Sequence, residues 1–450
     1  MKRITIIGGG ASGTLTAVGL LRHAASPIKI DLIELDSRRT KGVAYGTSED
    51  VHLLNVPAAK MGAFPDDIEH FHRWLTDNGY NYSGSDFVPR RTYGKYLNAV
   101  LDDAVASRSD DSEINFINDE AISVEPLDNG AAVTTASGRK IETDAVVIAF
   151  GNALPPHPNV PDNGYTAADK YFRDPWNSRV YTTITADDDI LVIGTGLSMV
   201  DVAMRYYHSG HRGKLYALST HGLLPAVHEL GHTYPNFETE LSGVTRVTEM
   251  LRIIRRHAKN ADTSGSNWRA VIDSLRPATQ LLWLGLSTSE KLIFKRRLAR
   301  YWNTARHRMP AEAAAVLDEM SANGKLEILG GKLRSIELRD GRFDVEYLWK
   351  GSTGSFTADA VINCIGSESD LSRLESDLVK QLLSSGQIRA DELRMGFDAT
   401  PDGTLIDADG KPSRHLRTLS TALKGILWES TAMPEIRGQA DALALRLLAE

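Results

Sequence analysis

A short branched apolar run that breaks into a glycine-rich turn and then a helical pattern can fold in very few ways, and this chain contains that arrangement twice. The first copy is Ile4-Thr5-Ile6-Ile7 followed by Gly8-Gly9-Gly10-Ala11-Ser12-Gly13. The second is Ile190-Leu191-Val192-Ile193 followed by Gly194-Thr195-Gly196-Leu197-Ser198-Met199. Short uncharged runs of this kind read as strands buried on both faces, the habit of parallel sheets covered by helices. Glycines in the turn let the backbone bend sharply, approach a pyrophosphate and bring helix against strand. The helix N-terminus then turns free N–H groups and a positive dipole end toward the phosphates. One such unit predicts a dinucleotide site. Two predict two different dinucleotides, and with them an electron path from a nicotinamide to a flavin.

In the first unit Gly8 serves the turn, Gly10 the phosphate approach and Gly13 the helix contact, with Ala11 and Ser12 opening the helix. A second strand, Ile28 to Glu34, ends about 20 residues beyond Gly13 in the carboxylate expected to hold ribose hydroxyls. The second unit keeps Gly194, Gly196, Leu197 and Ser198 as predicted phosphate contacts but carries Met199 where the third glycine belongs. A larger side chain there should loosen the contact between helix and strand. The next strand, Lys214 to Leu218, ends at Ser219-Thr220-His221, without an acid for a ribose 2′-hydroxyl. No arginine stands there for a 2′-phosphate either. The preference for NADPH over NADH therefore rests on Ser219, His221 and the nearby Arg212.

The 450 residues suffice for two or three domains. A net charge of −7 gives no sign of a nucleic-acid partner. The single cysteine, Cys364, excludes a disulfide framework, a Cys-rich metal site and a redox-active Cys-x-x-Cys pair. It also suits a reducing cytoplasm. No His, Asp and Glu cluster has metal-ligand spacing, so no metal is expected. Met1-Lys2-Arg3 before an apolar run imitates a signal peptide, but Gly8 to Gly10 interrupt that run. No apolar stretch approaches the length of a membrane span.

Several further segments carry a family likeness: Gly42-Val43-Ala44-Tyr45-Gly46, His52-Leu53-Leu54-Asn55-Val56-Pro57, Arg91-Thr92-Tyr93-Gly94, the second fingerprint with Ser198 and Asp201, Arg306-His307-Arg308-Met309-Pro310, Trp428-Glu429 and Glu435-Ile436-Arg437. With these the chain resembles bacterial FAD/NAD(P)-binding proteins related to the flavin-containing and N-hydroxylating monooxygenases. The resemblance implies FAD at the first fingerprint and a nicotinamide dinucleotide at the second. It also implies FAD contacts from Leu54, Asn55, Met61, Val124 and Gly151. Asn55 would lie beside the isoalloxazine, where a neutral amide donates a hydrogen bond without releasing a proton in a pocket that must stay dry. Val146 to Gly151 resembles the strand that closes the FAD domain before the chain crosses over, and Ala360 to Gly366 the return crossing. Two family features are missing. No Phe-x-Gly with a downstream His precedes the second fingerprint, and Thr418-Leu419-Ser420-Thr421 stands where many flavoproteins carry Gly-Asp.

The expected class is α/β with two Rossmann-like dinucleotide-binding domains, one inserted in the other. The FAD domain takes 1–165 and 355–450, and the nicotinamide domain takes 166–354 with a helical insertion at about 226–312. Helices are predicted there over Val247 to His257, Trp268 to Leu275, Gln280 to Leu286 and Glu290 to Trp302. Between residues 250 and 310, thirteen Lys and Arg face three acids. This surplus suits a basic lid over an anionic small-molecule substrate, a membrane-facing surface or plain solvated helix faces. His307, between Arg306 and Arg308, reads as a packing element of its helix or as a proton donor kept neutral by its cationic neighbours. Asp370 should cap the helix that follows it. Three functions fit: a monooxygenase passing one oxygen atom to nitrogen, sulfur or carbon; a reductase or dehydrogenase passing electrons to a quinone or protein; and a slow FAD-binding redox sensor. Asn55 and its surroundings favour the first.

Overall fold

The structure, a computed structural model, describes residues 1–35 and 39–450. Its first sheet has six strands in the order Thr404–Ile406, Pro412–Thr418, Ala145–Ile148, Lys2–Ile7, Ile28–Ile33, Glu113–Ile117. All pair in parallel except the Thr404–Ile406 edge. Helices Ala11–His23, Arg90–Ala106 and Met433–Ala449 bury one face of this sheet. The other face is covered by an antiparallel sheet of Ala121–Leu127, Gly130–Thr135 and Lys140–Thr143 together with helix Asp377–Ser384. Lys2–Ile7 is central, which explains why Ile4, Thr5, Ile6 and Ile7 are all buried and leave no alternating exposed face.

The second sheet has five parallel strands in the order Leu326–Gly330, Leu215–Ser219, Ile190–Ile193, Ala360–Asn363, Tyr171–Phe172. Helices Leu197–His208 and Ala311–Ala322 pack on one face. An antiparallel sheet of Lys332–Arg339, Arg342–Trp349 and Ser352–Ala358 packs on the other. The α/β class and the insertion of one nucleotide unit in the other are thus both present. The return boundary differs from the expected 354/355. Ser352–Ala358 and Ala360–Asn363 pair inside the second unit, so the chain leaves it only after Asn363. The two crossings run side by side: the Ser367 hydroxyl donates to the Ala153 carbonyl at 2.8 Å, and the Asn363 amide to that of Pro156 at 2.8 Å.

The insertion is helical: Val247–Thr263 runs longer than periodicity suggested, Trp268–Ser274 and Thr279–Leu284 are each a residue shorter, and the last expected helix is broken into Thr288–Arg297 and Ala299–Arg306. Asp370 does cap, accepting from the Ser372 N–H at 3.1 Å, though it opens only the single 3-10 turn Leu371–Arg373. Met199 is fully buried among Val192, Val202 and Ala203, where its flexible side chain fills the space a closer helix contact would have removed.

Both fingerprints press their first glycine against the end of a crossing strand. A Cβ on Gly8 (φ +100°) would stand 2.3 Å from the Ala149 carbonyl oxygen, and one on Gly194 (φ +112°) 2.4 Å from that of Cys364. Gly13 is tighter still, its Cβ position 1.9 Å from the Gly8 oxygen. Gly13→Ala should therefore force helix Ala11–His23 off its strand and cost about 1–3 kcal/mol, the usual penalty of overpacking. A urea unfolding midpoint equal to that of the parent would contradict this contact.

Candidate functional site

A cleft between the units takes in the second fingerprint and passes beside the first. One part, about 510 Å³, is lined by Val43 and Ala44 beside the first fingerprint, by Arg90, Phe150 and Trp176, and by Ser198 and Cys364. A second part, about 320 Å³, runs from Thr195, Gly196, Leu197 and Ser198 past Cys364 to Asn303, Thr304, His307, Lys424 and Trp428. Ser198, Cys364 and Gly366 line both. Strand ends explain this convergence, since each fingerprint lies at the C-terminal edge of its sheet and the two edges are turned toward each other.

The chain's own groups fit two pyrophosphate ligands. Helices Ala11–His23 and Leu197–His208 begin at Gly10 and Gly196, neither of which supplies a side-chain cap, so first-turn N–H groups stay available to an anion. Gly196 has open space where a Cβ would be, and Gly10 meets only the Cα of Gly42, at 3.4 Å. Glu34 sits at the end of its strand as expected. Its carboxylate accepts from the N–H of Gly9 at 3.1 Å and of Leu35 at 2.9 Å, leaving lone pairs for ribose hydroxyls.

Other predicted residues are placed less directly. Leu54 and Met61 are buried side chains of the first unit's core, so only their backbone could meet a cofactor. Asn55 is half-buried at the seam between units, where its carbonyl accepts from His228 Nε2 at 3.0 Å, and it lines neither part of the cleft. Val124 is fully buried. Its N–H donates to Gln381 Oε1 at 3.1 Å and its carbonyl accepts from Gln387 Nε2 at 2.8 Å, so its backbone edge is already satisfied from within the chain. Gly151 lies at the outward crossing, its carbonyl bonded by the Thr421 hydroxyl at 2.9 Å, between Phe150 and Asn152 of the cleft wall.

At the second site Ser219 bonds Thr195 Oγ1 of the fingerprint at 2.8 Å. Arg212 is a correction. It precedes the strand, at the end away from the fingerprint, and is ion-paired with Asp187. The cation near His221 comes instead from the insertion. Burial lowers the His221 pKa first, and Arg300 is near enough to lower it further. Arg300 belongs to helix Ala299–Arg306 and has no ion-pair partner among the described residues. It escaped sequence reasoning because some eighty residues separate it from the strand it approaches.

The seam itself is charged and nearly dry. Arg90 of the first unit meets Asp201 of the second at 2.9 Å, and Glu49 meets Arg205 at 2.6 Å. Burial pushes Asp201 up to about 6, against the pull of Arg90. His52 packs against Trp176 with ring centroids 5.5 Å apart and bonds the Thr47 hydroxyl at 2.8 Å. Burial, then Arg90 and Arg205, push it down to about 4. His307 is likewise neutral, chiefly by burial and secondarily through Arg306 and Lys424, with Glu429 opposing. Cys364 is buried, and burial holds its thiol far above the ordinary range, so it is no nucleophile. Among the described residues no group of side chains could hold a metal ion, and no helix is long and apolar enough to cross a membrane.

Residues 5–153 match a family model described as FAD-NAD(P)-binding. No curated protein matches the chain. Solved structures do. The ornithine N-hydroxylase of Kutzneria sp. 744 is similar over 99% of this chain and 98% of its own, with TM-score 0.62 and 12% identity. The cadaverine monooxygenase of the desferrioxamine pathway of Erwinia amylovora, solved with FAD, is similar over 99% and 94%, with TM-score 0.65 and 12% identity. Bacillithiol disulfide reductase from Staphylococcus aureus is similar over 100% and 99%, with TM-score 0.57 and 14% identity. The fold is therefore the one these flavin enzymes share.

His52 gives the seam a pH dependence. Its folded pKa lies below its unfolded value, so the unfolded chain binds a proton first as pH falls. The stability present above pH 6.5 should drain away down to about pH 4, by on the order of 3 kcal/mol. His52→Gln cannot titrate and should lose correspondingly less between urea melts at pH 7 and pH 4.5. Equal losses in parent and variant would refute the assignment.

Proposed function

We propose that the protein is an FAD-dependent, NAD(P)H-using monooxygenase that transfers one oxygen atom to a nitrogen, sulfur or carbon centre of a small molecule. The observation that carries this reading is the cleft: of two uncapped helix N-termini, each behind a glycine turn, one lines it and the other adjoins it through Gly42, and the one cysteine in its wall is buried with its thiol held well above the ordinary range. That geometry brings two dinucleotides together and denies the site the thiol chemistry of a disulfide reductase. The solved relatives that hydroxylate ornithine and cadaverine support oxygen transfer as the outcome. A single buried cysteine supports a cytoplasmic location.

When bound, FAD supplies the centre that accepts hydride and passes electrons to oxygen. The chain does the rest. Gly10, Ala11, Ser12 and Gly13 hold one pyrophosphate, and Gly196, Leu197 and Ser198 the other. Glu34 holds a ribose, while Ser219, His221 and Arg300 receive the 2′-phosphate of NADPH. Phe150, Trp176 and the buried Cys364 supply the apolar patches of a wall that is otherwise polar and charged. His307, neutral and facing the cleft, can take or give a proton at its imidazole. Asn55 reaches the reacting ring only if the loop held by His228 turns its amide inward.

One experiment decides among the functions. The FAD-loaded protein is mixed with NADPH without oxygen, then exposed to air with substrate candidates present. A monooxygenase bleaches its flavin quickly and reoxidises it with less than one peroxide per NADPH. Fast bleaching with slow reoxidation marks a dehydrogenase, and no bleaching marks a binding protein. Asn55→Ala should keep FAD and raise the peroxide released; unchanged coupling would remove Asn55 from the site. Arg300→Ala should raise KM for NADPH about 5- to 30-fold, as expected for a lost charge-assisted contact of about 1–2 kcal/mol. KM for NADH should not move, and parallel losses for both coenzymes would exclude the 2′-phosphate role.

A further inference from the structure

Behind the cleft lies a second cavity of different chemistry. It measures about 230 Å³, is open on one side, and is lined almost wholly by apolar side chains of the insertion, among them Met250, Leu251, Trp283, Phe294 and Trp302, with Trp428 contributed from the first unit. Trp428 also lines the cleft. Helix Ala299–Arg306 borders both spaces, turning Asn303 and Thr304 to the cleft and Tyr301, Trp302 and Ala305 to the apolar side.

Trp428 is held in this position against its backbone preference. Its φ and ψ are +58° and −71°, and the Glu429 N–H closes back on the Leu427 carbonyl at 2.7 Å. This is a γ-turn of the rare, strained hand, an unusual conformation for a bulky residue. Strain of this kind persists where surrounding structure over-determines it, and it concentrates at functional sites. The surroundings are indeed rigid. Trp428 packs on Trp283 at 5.0 Å and on Phe294 at 4.9 Å, the Trp283 indole donates to the Gly425 carbonyl at 2.9 Å, and the Trp302 indole donates to Glu429 at 2.8 Å.

The charge at the junction has a sign. Lys424 lines the cleft, stands 6.0 Å over the Trp428 ring, and has no ion-pair partner among the described residues. The nearest acid of the turn, Glu429, is already shared by Trp302 and Arg306. Lys291 stands 5.5 Å over Trp283. An apolar chamber that meets a polar cleft across one tryptophan, beside an unpaired lysine, matches an amphiphile with an anionic end. It does not match the diamines and amino acids named for the solved relatives, whose cationic amine would enter an apolar chamber unpaired.

We propose that this chamber is the substrate's side-chain subsite. The substrate is a small amphiphile whose carboxylate, or another anion, is held by Lys424 in the cleft, and whose ring or chain of about eight heavy atoms fills the chamber along the face of Trp428. The inference rests on the oxygen-transfer reading of the cleft given above. Its test needs no turnover, so the two can fail separately.

The full-length protein loaded with FAD is titrated by calorimetry with octanoate, octylamine and ornithine. Octanoate should bind once per chain, at least tenfold more tightly than octylamine, and ornithine should not bind. Leu251→Trp and, from the opposite wall, Ala305→Leu each fill the chamber and should raise the octanoate Kd at least tenfold, with FAD content and far-UV circular dichroism reporting the fold. Lys424→Met should bring octanoate and octylamine within twofold of each other. Equal affinity of the parent for octanoate and octylamine, tighter binding of ornithine, or octanoate binding untouched by both filling variants would each overturn the proposal. So would a dimer in sedimentation whose formation blocks octanoate, because the chamber would then be an interface between copies. Failure of NADPH to bleach the flavin would overturn the oxygen-transfer reading and leave these affinities measurable.

Discussion

Two sheets that share no strand must be held in one orientation for the cleft to exist, and a buried ion pair is one of the contacts that fix it. Arg90 and Asp201 come from different units and meet where little water reaches them. Such a pair adds little net stability over apolar contact, yet removing one partner leaves the other charge stranded at a cost of about 3–5 kcal/mol. Its value is directional. A slip between the units separates two charges in a poor solvent, whereas a slip between apolar surfaces would cost far less. Arg205 with Glu49, and His228 with the Asn55 carbonyl, repeat the constraint on either side. The helix N-termini can therefore face one another across a fixed gap instead of an average one.

The same seam sets the protonation of the site. Burial acts on His52, His228 and His307 in one direction, keeping all three neutral near pH 7. It acts on Asp201 in the other direction, bringing that carboxylate nearer to protonation. The one imidazole and the one thiol that line the cleft, His307 and Cys364, bring no mobile proton to it. That is the condition an oxygen-transferring flavin requires, since stray protons and water divert reduced oxygen to peroxide.

What was legible in the chain beforehand was local. Strand, glycine turn, helix and acid lie within about thirty residues of one another, so pattern and spacing expose them. Both fingerprints, Glu34 and the nested architecture are read this way. Arg300 and Lys424 were not legible, because one approaches His221 and the other lines the cleft across a long stretch of intervening chain and no periodicity marks such an approach; Trp428 stood out only through the family likeness of Trp428-Glu429. Arg212 misled for the converse reason: it is close to Ser219 in sequence but lies at the wrong end of the strand. The late boundary misled because Ser352–Ala358 and Ala360–Asn363 continue the inserted unit in space beyond the point where the chain seemed to leave it.

The contacts at Gly8 and Gly194 carry one more consequence. Ala149 and Cys364 are the last residues of the two crossing strands that remain locked beneath a phosphate cradle. The chain is free to bend only beyond them, at Phe150 to Ala153 and Ile365 to Ser367, and those two segments are tied to each other through the Ser367 hydroxyl. Any rotation of one unit against the other must therefore pivot within a residue or two of both pyrophosphates. The phosphates would mark the axis of such a movement, and the nicotinamide and flavin rings, far out along their dinucleotides, would sweep through its arc.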